Sequence, residues 1–457
     1  MSLNHIPRPA DPVLESTSVT EYTSELWLFL LFAAHLPLAV LMHSSTLLAT
    51  IHGWGVFALG LWFLGHDKLP TRLIYLTGYV IGAGVLWRMT HAGVFWEFSK
   101  YATAFLFLLG LIKWHRHLRA LPLVYGLLLI PSVIFTLSGR YSLTLLRSEI
   151  SFNLSGPFLL TIAAIFFSGI ELNKQQLQRL LLYTIMPITC IAFFAFFKIH
   201  EAKSIDFYQS NILTSGGFGP NQVSAILGMG ALFCWLYILI QEKFSKMAWL
   251  AAVFLLWFLG QAFLTFSRGG IYNFLLAGFF ATPYLAMKKR NLMKFLMFGA
   301  ILVAIFFYIL LKINAFTGHA LEERFTDTQT TGRWELIQED LKLWQDNFLF
   351  GVGPGRSPAL RGGKNRFSGI AKWGRGIPSH TEYTRMLAEH GVFGFLALLL
   401  LFIMFFQAFL KATNSYARGL TLAFMLWAMA EMSHAAMRLA AISYLFALPF
   451  AKFTEDK

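Results

Sequence analysis

Apolar runs alternate with short polar interruptions along almost the whole chain. The runs lie near 25–43, 46–65, 71–88, 93–112, 118–137, 155–170, 179–198, 222–240, 247–266, 270–286, 293–312, 386–410, 419–432 and 436–450. Most reach the length that a helix needs to cross a hydrocarbon core of about 30 Å. The pattern predicts an all-α fold, a polytopic transmembrane helix bundle of about 12–14 helices. The lower count allows the pairs around His43 to Thr46 and Glu431 to Arg438 to be re-entrant or tilted hairpins.

The polar interruptions carry the orientation. Basic residues gather at every second loop: Lys113, Arg116 and Arg119; Lys174 and Arg179; Lys243 and Lys246; Lys288, Lys289, Arg290 and Lys294; Lys411 and Arg418. Short loops rich in Lys and Arg stay in the cytoplasm. The alternate loops are then external: 138–154, 199–221, the tight Ser267 to Gly269 turn, and one long loop from about 313 to 385. The expected organisation is a cytoplasmic tail over 1–24, a transmembrane bundle over 25–312, an external loop over 313–385 and C-terminal helices over 386–457. The tail holds Asp11, Glu15 and Glu21 and lacks the basic flank and short apolar core of a cleavable signal.

Composition changes this picture little. The chain is 56% hydrophobic and 13% charged, and its 47 Phe suit lipid contact and helix packing. A net charge of +14 would suggest nucleic acid in a soluble protein, but here the cations sit in loops and set topology, so nucleic acid is not an expected partner. Cys190 and Cys234 both lie inside apolar runs, which argues against a disulfide framework or a cysteine zinc site.

The long loop is the one sizeable polar segment, and loops of that length usually have structure and a task. "TGRWELIQEDLKLWQDNFLFGVGPG" predicts an amphipathic helix from about Gly332 to Asp346, with Trp334, Leu336, Ile337, Leu341 and Trp344 at helical spacing. The "GVGPG" that follows reads as a turn; a phosphate loop would need a following Lys-Ser/Thr and a strand before it. Further on, Arg356, Arg361, Lys364, Arg366, Lys372 and Arg375 occur with no acidic residue between them. They form either a solvated basic loop or a docking surface for anionic or phosphorylated head groups.

Several polar residues converge on the external face. His380 and Glu382 end the long loop, Arg333 opens its helix, Arg268 lies in the "FSRGG" turn, and Asn221 follows Pro220 in "GFGPNQVSA". An arginine in a tight turn between apolar helices is costly without an anionic partner, although it can snorkel to lipid phosphate. Taken alone, His380 reads as a boundary histidine, as do His35, His52, His91, His115 and His390. Glu322, Glu323 and Asp327 read as a solvated face, and no metal site is expected.

"PSHTEYTRMLAEHGVFGFLALLL" resembles the stretch that follows the large periplasmic loop in the O-antigen ligase and polymerase superfamily. There a His, then Asn or Glu, then Tyr lead into a helix start. "FSRGG", "TGRWELI…FGVGPG" and "GFGPNQ" resemble its other recurring patches, and the resemblance runs in order from about Gly217 to Leu400. In that family Asn often follows the His; here Thr381 and Glu382 follow.

The resemblance implies an enzyme of the Gram-negative inner membrane, its site facing the periplasm. It implies transfer of a glycan from an undecaprenyl-pyrophosphate donor, with His380 catalytic, Arg268 and Arg333 on the donor pyrophosphate, and no cofactor. These residue types suit that chemistry. A neutral imidazole can take the proton of a sugar hydroxyl, and guanidiniums can stabilise a departing pyrophosphate. A single base also implies inversion at the anomeric carbon. Glu382, Tyr383 and Asn221 are possible supporting residues, and the six cations from Arg356 to Arg375 are possible contacts for acceptor phosphate.

The expected function is therefore ligation of O-antigen to a lipid A-core acceptor. The alternatives are a polymerase or a protein O-oligosaccharyltransferase of the same superfamily, or, in a different class, a transporter of lipid-linked glycans. A transporter would show repeated halves and charges along a central path; no repeat is visible, and the polar residues collect on one face.

Overall fold

The computed structural model describes residues 25–114, 119–137, 143–201, 212–241, 245–286, 292–326, 332–361 and 377–455. Its helices are α1 Glu25–Ser44, α2 Thr46–His66, α3 Thr71–Met89, α4 Phe98–Lys113, α5 Ala120–Leu128, α6 Val133–Leu137, α7 Leu143–Phe167, α8 Lys174–Glu201 and α9 Pro220–Ile240. They continue as α10 Lys246–Leu264, α11 Gly269–Ala286, α12 Leu292–Phe316, α13 Ala320–Thr326, α14 Arg333–Asp346, α15 Ser357–Leu360, α16 Glu382–Lys411, α17 Ser415–Met432 and α18 Ala440–Ala447. Two three-residue strands, β1 Glu171–Asn173 and β2 Lys452–Thr454, pair in parallel. Among the described residues nine helical segments are long and apolar enough to cross a membrane, and the chain is an all-α, multi-pass membrane protein.

The centre of the bundle is α9, buried over nearly its whole length and packed on α8, α10 and α11. Its crossing with α11 brings backbone against backbone: a Cβ at Gly228 would collide with the Gly270 carbonyl, and one at Gly270 with the Ser224 carbonyl. Lipid offers no hydrophobic drive to helix pairing, so small residues that permit close approach hold such crossings together. By contrast, α12 is almost wholly exposed, with Phe307, Tyr308 and Leu311 turned outward. Such side chains suit a lipid-facing surface rather than water.

Three departures from the sequence reading matter for the site. The stretch 138–154, expected to be a loop, is helical from Leu143, where α7 begins. The apolar run 118–137 is broken between α5 and α6, where Pro131 cannot donate a backbone hydrogen bond. The last long helix starts at Glu382 and is interrupted at Gly391, whose φ of 60° and ψ of −135° no helix accommodates.

That interruption explains "GVGPG". With the ladder broken, the Val392 N–H turns to the Phe348 carbonyl at 2.8 Å, while the Val352 and Gly353 N–H groups donate to the Ala388 and Glu389 carbonyls, both at 2.9 Å. A broken helix inside a membrane protein persists only where neighbouring segments satisfy the freed groups. Here the glycine turn does so, and two of its amides are thereby committed to protein rather than to a phosphate.

Candidate active site

The site lies at the end of the bundle where α16 begins and α17 ends. Thr381 caps α16 by accepting a hydrogen bond from the Tyr383 N–H at 3.2 Å. The turn before it, Ser379 and His380, is held on two sides. The Ser379 carbonyl accepts from Arg438 Nη2 at 2.9 Å. Its hydroxyl accepts from Arg361 Nη2 and donates to Asp340 Oδ1 at 3.3 Å. His380 is thus fixed through its neighbour's backbone and side chain.

Asp340 is the anchor of this arrangement. It is the buried residue of α14, and it accepts from Arg361 Nε at 2.9 Å, Arg361 Nη2 at 2.6 Å and Thr384 Oγ1 at 3.0 Å. A buried carboxylate is tolerable only when paired and hydrogen-bonded, and here the pairing ties the loop helix α14 to α15 and α16. Gly332, with φ of 76°, precedes the helix in a left-handed conformation, which glycine adopts without steric cost. Arg333 follows as the first residue of α14.

A second buried network lies beneath α16. Arg385 forms an ion pair with Glu382 and another with Glu389 at 2.7 Å. Glu389 also accepts from Ser357 Oγ at 2.9 Å. Glu382 Oε2 accepts from the Met437 N–H at 3.1 Å, which fixes the non-helical segment that carries Arg438. His390, fully buried, pairs through Nδ1 with Ser132 at 2.6 Å beside the α5–α6 break.

Arg438, Arg333 and Arg361 are the charges that reach His380 from neighbouring elements. Burial is the larger cause, and Arg438, Arg333 and Arg361 follow, in driving the His380 imidazole down to about 4. His380 is therefore neutral at physiological pH, and it makes no hydrogen bond to any described residue. Arg438 is itself perturbed: burial first, then the Arg385 charge, lowers it to about 10, so it stays cationic. Its Nε is buried without a hydrogen-bond partner among the described residues.

Arg88 extends the cationic surface. Its guanidinium donates to the Trp96 carbonyl at 3.1 Å, to Gln222 Oε1 at 2.6 Å and to the Arg438 carbonyl at 3.3 Å. It lies 3.7 Å from Glu97, which in turn pairs with Lys100 at 2.6 Å. Through Gln222 this cluster meets the start of α9, where Asn221 Oδ1 accepts from Ser267 Oγ at 2.9 Å. Asn221 therefore braces the turn that bears Arg268. Phe266 in that turn is fully buried with φ of 56°, a strained conformation for an aromatic residue. On its other side, Gly269 leaves no room for a Cβ against His434 at the end of α17.

The structure thus brings the Arg333, Arg361 and Arg438 charges within electrostatic reach of His380, and puts Arg268 and Asn221 at the same end of the bundle. Glu382, at the first turn of α16, holds Arg385 and the Met437 N–H. The Tyr383 hydroxyl donates to the Met429 carbonyl at 2.9 Å and joins α16 to α17. Of the six loop cations, Arg361 is engaged by Asp340, Ser379 and the Ile377 carbonyl, which leaves its guanidinium committed to protein rather than to an acceptor phosphate. Arg356 Nη1 donates to the Phe135 carbonyl at 2.7 Å. Lys364, Arg366, Lys372 and Arg375 lie outside the described residues, as does Asp327.

Arg438, Arg88 and Asp340 were not singled out as site residues by sequence. The first two had a signal: each is a lone arginine inside an apolar stretch, "GVLWRMT" and "AAMRLAA". Asp340 had a fainter one, an acid set between Leu336 and Leu343 on one stripe of an amphipathic helix.

No curated protein matches the chain. Residues 253–399 match the family model described as O-antigen ligase, a span that runs from α10 to the middle of α16 and includes Arg268, Arg333 and His380. On that match, with the bundle and the order of the motifs, the chain carries a domain of the O-antigen ligase superfamily.

Proposed function

We propose that the protein is an inverting glycosyltransferase that moves O-antigen glycan from undecaprenyl-pyrophosphate to lipid A-core at the periplasmic face of a Gram-negative inner membrane, without a metal. The observation that carries the reading is His380: a neutral imidazole, free of hydrogen bonds to described residues, held beside Arg438 and Arg333. His380 takes the proton of the acceptor hydroxyl as its oxygen attacks the anomeric carbon. The bond from that carbon to phosphate breaks, and the electron pair leaves on the lipid pyrophosphate.

The departing charge is met by guanidiniums. Arg333 and Arg268 are the donor contacts that the family motifs suggest, and Arg438 joins them on geometric grounds. Preorganised cations stabilise developing charge most in a site that excludes water. Glu382, Tyr383, Asn221 and Asp340 act as positioning residues. Lys364, Arg366, Lys372 and Arg375 are the remaining candidates for acceptor phosphate, since Arg361 and Arg356 are engaged within the protein.

Ligase and polymerase share donor and fold, so the acceptor separates them. Purified protein in nanodiscs, given undecaprenyl-pyrophosphate glycan with and without lipid A-core, tests the choice. Product that forms only with lipid A-core supports ligation. A ladder of longer lipid-linked glycans in its absence would replace that reading with polymerisation.

A further inference from the structure

At the opposite end of the bundle from His380 lies a cavity of about 520 Å³. It is bounded by the start of α5, the ends of α7 and α16, the start of α17 and the residues around β2. Helix polarity fixes its place: α16 runs from the site at Glu382 to the cavity at Lys411. Its size falls within the range of about 300–1,000 Å³ typical of small-molecule sites.

The lining has two chemistries. Arg119 and Lys411 supply positive charge, and neither side chain forms a hydrogen bond or ion pair with a described residue. Leu121, Ala408, Ala417 and Phe453 supply an apolar wall. Lys452, a third cation in the lining, is paired with the nearby Glu171 at 3.4 Å, and no lining residue carries a carboxylate. The same end of the bundle gathers Lys113, Lys174, Arg179 and Arg418 at helix termini.

We infer that this cavity binds a phospholipid with an anionic head group. The phosphate would meet Arg119 and Lys411, and the glycerol and upper acyl chain would lie along the apolar wall. Basic pockets between membrane helices recognise anionic lipids in this way. A free phosphate would use the cations but leave the apolar wall unmatched, so an amphiphile fits the lining better. The inference stands apart from the transfer reaction and holds or fails without it.

Native mass spectrometry of the full-length protein in detergent, titrated with phosphatidylglycerol, phosphatidylcholine or glycerol 3-phosphate, tests it. Phosphatidylglycerol is expected to bind and phosphatidylcholine not. Each cation of this kind contributes roughly five-fold to affinity for an anionic lipid, so Arg119→Gln with Lys411→Gln should weaken phosphatidylglycerol binding by about 25-fold. Arg418→Gln, at the same end but outside the cavity, should leave it unchanged. Equal binding of the two lipids, an equal loss in Arg418→Gln, or glycerol 3-phosphate binding as tightly as the lipid would each overturn the inference. The wild-type lipid comparison decides the matter if the double variant does not fold.

Discussion

Replacing Arg438 by Gln should move the acid limb of the pH–rate profile. In the proposed mechanism His380 works as a base in its neutral form, so activity should be present above its pKa and be lost as pH falls through it. With that value near 4, about 97% of the imidazole is neutral at pH 5.5, whereas an ordinary histidine near 6.5 would be only about 10% neutral there. The wild-type kcat/KM should therefore be almost flat from pH 7 to 5.5 and fall only toward pH 4. Arg438 is the charge that contributes most to the depression, after burial. Arg438→Gln should shift the limb upward, short of 6.5 because burial remains.

The same substitution removes the hydrogen bond to the Ser379 carbonyl, so the plateau rate should also fall. Arg438→Lys separates the two effects: it keeps the charge and the limb position but loses the guanidinium geometry and part of the rate. Initial rates of glycan transfer in nanodiscs, measured from pH 3.5 to 8 at constant ionic strength, read both quantities, since kcat/KM reports the free enzyme. A wild-type limb near 6.5, or one that stays in place in Arg438→Gln, would refute the electrostatic account of His380.

Other outcomes follow from the packing. Asp340→Asn leaves Arg361 buried without its counter-charge, which should cost about 3–5 kcal/mol, seen as earlier thermal unfolding in detergent together with reduced transfer. Gly391→Ala should abolish the folded protein, because the residue sits at φ of 60° and an added Cβ would lie 2.6 Å from the Leu349 carbonyl; size-exclusion profiles check this. Arg268→Ala and Arg333→Ala should each sharply reduce kcat/KM for the lipid-linked donor, and Lys at either position should restore only part of it, since an ammonium cannot form a bidentate pair.

The membrane bundle was legible because bilayer length imposes long apolar runs, whereas His380, Arg268 and Arg333 rest on short motifs, and the structure adds their surroundings. The amphipathic pattern also located α14 to within a residue of where it begins. The rest of the site was hidden for a physical reason. Arg438 lies 58 positions after His380 in sequence, and only the folding of α16 against the α17–α18 break brings the two together. Glu382 read only as a possible supporting residue, and its carboxylate is directed to Arg385 and the Met437 N–H. The basic loop looked like one uniform patch, yet Arg361 is an internal strut, because Asp340 needs a buried counter-charge that no local pattern announces. The interruption of α16 was equally invisible: Gly391 within an apolar run is unremarkable until the "GVGPG" turn supplies the hydrogen bonds that permit a break.

The most direct test is a transfer assay with purified protein, undecaprenyl-pyrophosphate glycan and lipid A-core, comparing wild type with His380→Ala. The variant should insert and fold normally, because the partly exposed imidazole makes no hydrogen bond to any described residue, and it should form no ligated product. Product formation by a well-folded His380→Ala protein at the wild-type rate would contradict the proposed role of His380.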